Sequence, residues 1–169
     1  MRVDISSMKD PRVRDFYSLY WPQRQIVYDF FTCLTEEQFD YRMVDTPERK
    51  SDTPRESLAH ILQVQLVYLN SIKTGKLEFK SMGVEQHREM TKEQLLAEVE
   101  RIDEEMFAYV TAETFDSSST VEAPWGKMNA VDVLYCLRDH DILHIGWNLA
   151  LMDHLNVPRL KSLIQYWGP

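Results

Sequence analysis

Three of the five histidines have a spacing that suits metal binding. His140 and His144 are four residues apart, which places them one turn apart on the same face of a predicted helix. Val133, Leu137 and Leu151 continue that face, so both imidazoles are expected among apolar neighbours. A buried ring nitrogen without a partner costs about 1–3 kcal/mol, and a metal ion is one partner that would satisfy it.

His60 is the third candidate ligand. It lies in the second turn of another predicted helix, next to the apolar residues Ala59 and Ile61. If the two helices pack side by side, three neutral imidazoles can converge on a divalent ion and leave coordination positions open, as in catalytic sites. The 2+ charge would then acidify a bound water or thiol. The alternative is that these histidines are hydrogen-bonded core side chains, and spacing alone leaves both interpretations open.

The elements that must position these residues are predicted to be helices, because apolar residues recur at helical spacing in four blocks. The first helix is expected over 22–34, with Pro22 in its first turn and a short segment 16–20 joined to it across a kink. The other three are expected over about 54–73, about 92–112 and from 130 to about 155.

Capping signals support these boundaries. Thr53 and Glu56 have the spacing of a capping box, and Gly75 supplies a stop for the second helix. A second capping box is predicted at Thr91, and Asn129 is expected to cap the last helix. Helices of about 20 residues span about 30 Å, so a four-helix bundle is the simplest all-α fold. The connections 35–53 and 75–91 are long for such a bundle.

The composition excludes several classes of protein. A chain of 169 residues with 44% hydrophobic and 27% charged residues has the size and balance of a single domain, here 1–169. The net charge of −8 disfavours nucleic acid as a partner. The sequence has no long apolar run and no signal-peptide pattern, and its 2 cysteines are far apart. We therefore expect a soluble, cytoplasmic protein with no membrane partner.

The histidine pattern and helix order together resemble the DinB-like (YfiT-like) family of metal-binding four-helix bundles, over roughly 12–167. The segments that carry the resemblance are 56–60, 124–126, 139–146 and 166–168. The resemblance implies a divalent metal, often nickel or zinc, on His60, His140 and His144, and it implies frequent homodimers. Relatives include thiol S-transferases and a thiol-dependent isomerase, so it also implies a small-molecule substrate and a low-molecular-weight thiol.

One departure from the family pattern affects the expected pocket. Relatives commonly read His-Arg-Gly-Gln after the histidine pair, whereas this chain has Trp147 in place of the glutamine. Asn148 is the candidate replacement for the missing polar group, and Trp125 and Trp147 are candidate pocket contacts. Asp141, beside His140, is the candidate that orients a ligand imidazole from behind.

Other residues have simpler interpretations. Glu56 is expected to act in the capping box, and Cys136 and Cys33 are expected in the core. A di-iron site is excluded because Asp141 to His144 is the only acid-x-x-His spacing. The terminal aromatic residues are expected to be exposed and to favour a homodimer; they are Tyr17, Tyr20, Trp21, Tyr166 and Trp167.

Two classes of function remain open from the sequence. One is a metal-dependent transferase or hydrolase that acts on a small molecule by thiol-dependent S-transfer, isomerisation or hydrolysis. The other is a non-catalytic bundle that binds metal or a ligand for stress-related sensing, or that serves as a scaffold. A general acid or base beside the metal would favour the enzyme over the non-catalytic bundle, and the sequence assigns that role to no residue.

Overall fold

The computed structural model describes residues 4–79, 87 and 89–168. Four long helices dominate it: α1 (Pro11–Cys33), α3 (Pro54–Thr74), α4 (Lys92–Thr111) and α5 (Ala130–His154). The shorter elements are a 3₁₀ turn (Ile5–Ser7), the helices α2 (Glu36–Phe39) and α6 (Lys161–Trp167), and the antiparallel strands β1 (Thr120–Ala123) and β2 (Gly126–Asn129).

The four long helices enclose one core. Helix α1 packs against α4 and α5, and α3 packs against the same two helices, so α1 and α3 lie diagonally across the bundle. The buried apolar side chains form a single cluster to which all four helices contribute. The predicted all-α four-helix bundle is therefore confirmed. The small hairpin of β1 and β2 was not predicted, because each strand has only four residues and the polar–apolar alternation of Thr120–Ala123 is too short to indicate a strand.

The predicted helix ends agree closely with the structure. Both capping boxes form, with the Thr53 and Thr91 hydroxyls each accepting from a backbone N–H three residues on. Gly75 ends α3 in the left-handed conformation with φ of 76°, which glycine adopts without a steric penalty. Asn129 precedes α5 as expected, but its side chain makes no cap hydrogen bond and donates to Asp132 at 3.1 Å instead.

The prediction for the first helix was wrong. Helix α1 is one continuous helix that begins after Asp10, so Pro22 lies inside it and the segment 16–20 is part of it. An internal proline costs about 3 kcal/mol because it removes one backbone hydrogen bond. Phe16 and Tyr20 before the proline are fully buried, and such burial is worth about 1.5–3 kcal/mol for each side chain. Core packing on this face therefore outweighs the local cost.

Two expectations about exposure also need correction. Tyr17 and Tyr20 were expected at the surface, but they lie in the core, where Tyr20 stacks on Phe16. Cys33 was expected in the core, but it is exposed at the end of α1. Burial of part of the side chain still raises the pKa of the Cys33 thiol, so it is not an activated nucleophile.

The connection between α1 and α3 is folded rather than extended. The Ser51 amide donates to the Val44 carbonyl at 2.9 Å, which closes a small loop. Arg42 secures this loop, since it donates to the Ser51 carbonyl and pairs with Glu56 at 2.9 Å. Glu56 therefore both caps α3 and anchors the loop, and its expected capping role is confirmed.

The connection after α3 is described only in part, because 80–86 and 88 lie outside the described residues. Leu77 donates to the Glu122 carbonyl at 2.8 Å, which joins the end of α3 to the hairpin. In the described part of the chain, none of the helices is both long enough and apolar enough to cross a membrane.

Candidate metal centre

The packing of α3 against α5 brings together the three histidines that the sequence singled out. The Nε2 atom of His140 lies 3.1 Å from Nε2 of His60 and 3.2 Å from Nε2 of His144. One ring nitrogen from each of the three lies within 4.8 Å of the others. His60 comes from α3, and the pair separated by one turn comes from α5.

These separations fit a divalent ion. Metal–nitrogen bonds of about 2.0–2.1 Å at angles between octahedral and tetrahedral values place two ligand nitrogens about 2.8–3.4 Å apart. The observed distances of 3.1 and 3.2 Å fall in this range. The donor set is also neutral and nitrogenous, which suits zinc, nickel and related ions. The described residues therefore form a group that could hold a metal.

Burial keeps His144 in the form that can bind metal. The pKa of His144 is lowered to about 4, mainly by burial and further by the neighbouring His140 and His60. The imidazole is therefore neutral at pH 7, and one of its ring nitrogens carries a free lone pair.

Ser57 contacts the other ring nitrogen, Nδ1. Its hydroxyl lies 3.0 Å from Nδ1 of His144, and its side chain is 2% exposed. When Nδ1–H donates to this hydroxyl, Nε2 is left unprotonated and faces the other two histidines. Ser57 is not among the residues that the sequence pattern indicated. Its position three residues before His60, on the buried face of α3, was the available signal.

Asp141 lies behind His140, as the sequence analysis proposed. Its carboxylate is fully buried, with Oδ1 at 3.7 Å from Nδ1 of His140. Neither of these two atoms has a hydrogen-bond partner among the described residues. The other carboxylate oxygen, Oδ2, accepts from Nη1 of Arg24 at 3.2 Å. Asp141 therefore lies between His140, a candidate metal ligand, and the buried guanidinium of Arg24.

That cation is the centre of a polar network that the sequence analysis missed. Arg24 on α1 is 1% exposed, and its Nε lies 3.1 Å from each carboxylate oxygen of Asp103 on α4. It also donates to Gln65 on α3, which in turn donates to Asp103. With Asp141 on α5, one arginine thus contacts all three other long helices. The available signal was charged or amide residues at core positions of the helical pattern.

The network is electrostatically constrained. Burial raises the pKa of Asp103, and the Arg24 guanidinium opposes that rise. Burial lowers the pKa of Arg24, but Asp103 and Asp141 stabilise its positive charge. The pKa is therefore raised above the ordinary value. Such a group is stable only while the partners remain in place, because an unpaired buried charge is costly.

An open cleft of about 300 Å³ adjoins His144. Helix α5 lines it with His144, Leu143 and Trp147, and α3 lines it with Ser57. Leu143 is 74% exposed, which is unusual for a large apolar side chain. The loop before α3 adds Arg49, Ser51 and Asp52 to the lining. The cleft is large enough for a small organic molecule.

The other residues discussed from the sequence are not among those that line this cleft. Trp125 is on the hairpin, where it packs against Phe79 with ring centres 6.1 Å apart, and it does not line this cleft. Asn148 is 3% exposed and lies outside the set of residues that line the cleft. Burial and the nearby Asp139 raise the pKa of Cys136, as expected for an inert thiol. His154 contacts Tyr41 at 2.7 Å, away from the cluster.

Comparison with known proteins gives the family. The family model of the DinB superfamily matches residues 23–147. Among solved structures, the chain is similar to the DinB-like protein YjoA from Bacillus subtilis, with 17% sequence identity and a TM-score of 0.55, over 86% of this chain and 94% of that one. At that identity the likeness supports the fold alone. The search of curated proteins found no match. Because the family match spans well over half of the residues, this chain belongs to the DinB superfamily.

Proposed function

We propose that this chain is a divalent-metal-dependent enzyme that acts on a small molecule. The observation that carries the proposal is the convergence of three Nε2 atoms, from His60, His140 and His144, next to an open cleft that His144 lines. Three neutral protein ligands are typical of catalytic metal sites, whereas structural sites are usually closed by four. The proposed catalytic site therefore has both a set of metal ligands and a space for substrate.

A divalent ion in this site would supply Lewis acidity, which lowers the pKa of a coordinating thiol or water toward neutrality. The residues of the chain would orient the ligands and limit the access of water. Ser57 holds His144 in the tautomer that presents Nε2, and Asp141 lies where it can orient His140. Trp147 and Leu143 offer an apolar surface that limits the access of water to one side of the cleft.

The reaction we propose is thiol-dependent S-transfer, isomerisation or hydrolysis. Nickel or zinc as the ion, a low-molecular-weight thiol as co-substrate, a homodimer and a cytoplasmic location belong to the same proposal. They rest on the family resemblance and on the composition of the sequence. The apolar part of the cleft lining supports an apolar or aromatic electrophile over a highly polar acid.

A non-catalytic metal- or ligand-binding bundle, for stress-related sensing or as a scaffold, is the second candidate function. The observation in its favour is the path from His140 through Asp141 to Arg24, which contacts all three other long helices. A change in the position of His140 would therefore be transmitted to the packing of the whole bundle.

The test is a screen of the metal-loaded protein with low-molecular-weight thiols and electrophiles, and with ester and amide substrates. The comparison variant is His144→Ala, and His154→Ala is the matched control because His154 lies outside the cluster. We expect turnover in the wild type and in the control, and none in His144→Ala. Turnover that survives in His144→Ala, or no turnover at full metal occupancy, would favour the non-catalytic candidate.

A further inference from the structure

The loop before α3 adds polar side chains to the lining of the cleft. Arg49, Ser51 and Asp52 line it together with the apolar Leu143 and Trp147 of α5. The loop is held in place by backbone hydrogen bonds between Thr46 and Arg49 and between Val44 and Ser51, so its side chains are presented on an ordered backbone. A molecule in the cleft would therefore meet both charged groups and apolar surface.

Arg49 is the cation of this lining. Among the described residues its guanidinium makes no ion pair, whereas the adjacent Lys50 pairs with Asp45 at 3.0 Å. Arginine recognises carboxylates with two parallel N–H donors, and the pairing is strengthened where water is partly excluded. Asp52 supplies a single negative charge to the same cleft, which disfavours ligands that carry more than one negative charge.

We propose that the cleft binds an organic monoanion whose carboxylate pairs with Arg49 and whose apolar, preferably aromatic, body packs on Trp147 and Leu143. The end of the molecule remote from the carboxylate would then lie toward His144 and the metal centre. This assignment rests on the proposed function, because it names the substrate class of the same site. Arg49 is a specificity-determining residue in this account, and the histidines are not required for its selectivity.

The experiment compares two probes that differ only in charge, 3-phenylpropionate and the uncharged 3-phenylpropanamide. Their dissociation constants are measured by titration calorimetry on the metal-loaded protein and again on the metal-free protein. We expect the carboxylate to bind about five- to tenfold more tightly than the amide in both forms. Arg49→Gln should abolish this preference, and Lys50→Gln, which changes the neighbouring cation outside the cleft, should retain it.

A second variant tests the apolar part of the lining. Trp147→Ala should weaken both probes by a similar factor, because it removes surface that the two molecules contact alike. Metal content and circular dichroism are recorded for each variant, so a loss of the ion or of the fold is recognised separately.

The outcomes separate this proposal from the proposed function. Absence of metal or of turnover, with an Arg49-dependent preference intact, would overturn the proposed function and leave the binding assignment standing. A carboxylate preference that persists in Arg49→Gln and disappears on metal removal would show that the anion binds the ion, and would overturn the assignment. Equal binding of the two probes to the wild type, or no binding of either, would overturn it as well.

Discussion

Two of the three histidines have a polar group beside their second ring nitrogen. Ser57 contacts Nδ1 of His144, and Asp141 faces Nδ1 of His140. A metal ligand whose tautomer and ring orientation are set in advance loses less freedom when the ion binds. The affinity of the site is therefore expected to depend on residues that never touch the metal.

Ser57→Ala is the direct test of this dependence. The substitution removes the hydroxyl that fixes Nδ1 of His144, and we expect the metal affinity to fall by about tenfold or more while the fold is retained. Competition with a chelating dye measures the dissociation constant. Ser71→Ala is the matched control, because Ser71 is an equally buried serine on α3 whose hydroxyl donates to Tyr68. Equal losses in the two variants would contradict the role of Ser57.

The lowered pKa of His144 predicts how the metal-free protein responds to acid. In the unfolded chain this histidine titrates near 6.5, whereas in the folded chain its pKa is about 4 because of burial and the neighbouring His140 and His60. Between these values the unfolded state binds the extra proton, so stability is fully present above pH 6.5 and is lost as the pH falls toward 4.

Urea unfolding of the metal-free protein at pH 7.5 and pH 5 measures this loss. The drop in unfolding free energy should be smaller in His144→Gln than in the wild type. A pH response that is unchanged in His144→Gln would show that other groups cause it.

At the level of the helices, the Arg24 network joins the four long elements through one charge. We expect Arg24→Met to lower the unfolding free energy by about 3–5 kcal/mol, because it leaves Asp103 and Asp141 buried without their cation. Guanidinium chloride unfolding at pH 7 checks the value. Arg101→Met is the control, since Arg101 pairs with Glu98 and Glu105 on the surface. A loss no larger than that of the control would contradict the account.

The helix ends could be predicted from the sequence, whereas the course of α1 and the Arg24 network could not. The helix ends at Thr53, Gly75 and Thr91 were predictable because the capping chemistry is local. The continuity of α1 through Pro22 was not, because it depends on core contacts made with distant helices. Arg24 was missed for a related reason: a charged residue on an apolar stripe has meaning only when its partners on other helices are known.

The residues of the candidate site also differ in whether the sequence predicts them. The spacing of His140 and His144 on one helix is visible in the sequence, and so is the position of His60 among apolar residues of another predicted helix. The convergence of the three depends on the packing of α3 against α5. No sequence pattern indicated Ser57 or Arg49. The contact of Ser57 with His144 and the position of Arg49 beside the residues of α5 both depend on segments that are far apart in the chain. Asn148 was proposed because it lies one turn beyond His144, and Trp125 because it lies in the turn before the last helix. Neither lines the cleft beside His144, and their roles stay predictions.

For the molecule as a whole, the prediction of one domain over 1–169 and that of a homodimer both stay predictions. With Tyr17 and Tyr20 buried, the exposed apolar side chains near the end of the chain are Ile164 and Trp167, at 42% and 46% exposure. We expect sedimentation equilibrium to give twice the mass of the chain, and Trp167→Ser to weaken the association. A single-chain mass at every concentration would exclude the dimer.

The most direct test of the central claim is the metal content of the purified protein and its histidine variants, measured by elemental analysis after loading and desalting. We predict one divalent ion per chain in the wild type and in His154→Ala. His60→Ala, His140→Ala and His144→Ala should each lose most of the metal while retaining their helical circular dichroism. Metal retained at the wild-type level in His140→Ala, the residue nearest both other histidines, would contradict the three-histidine site.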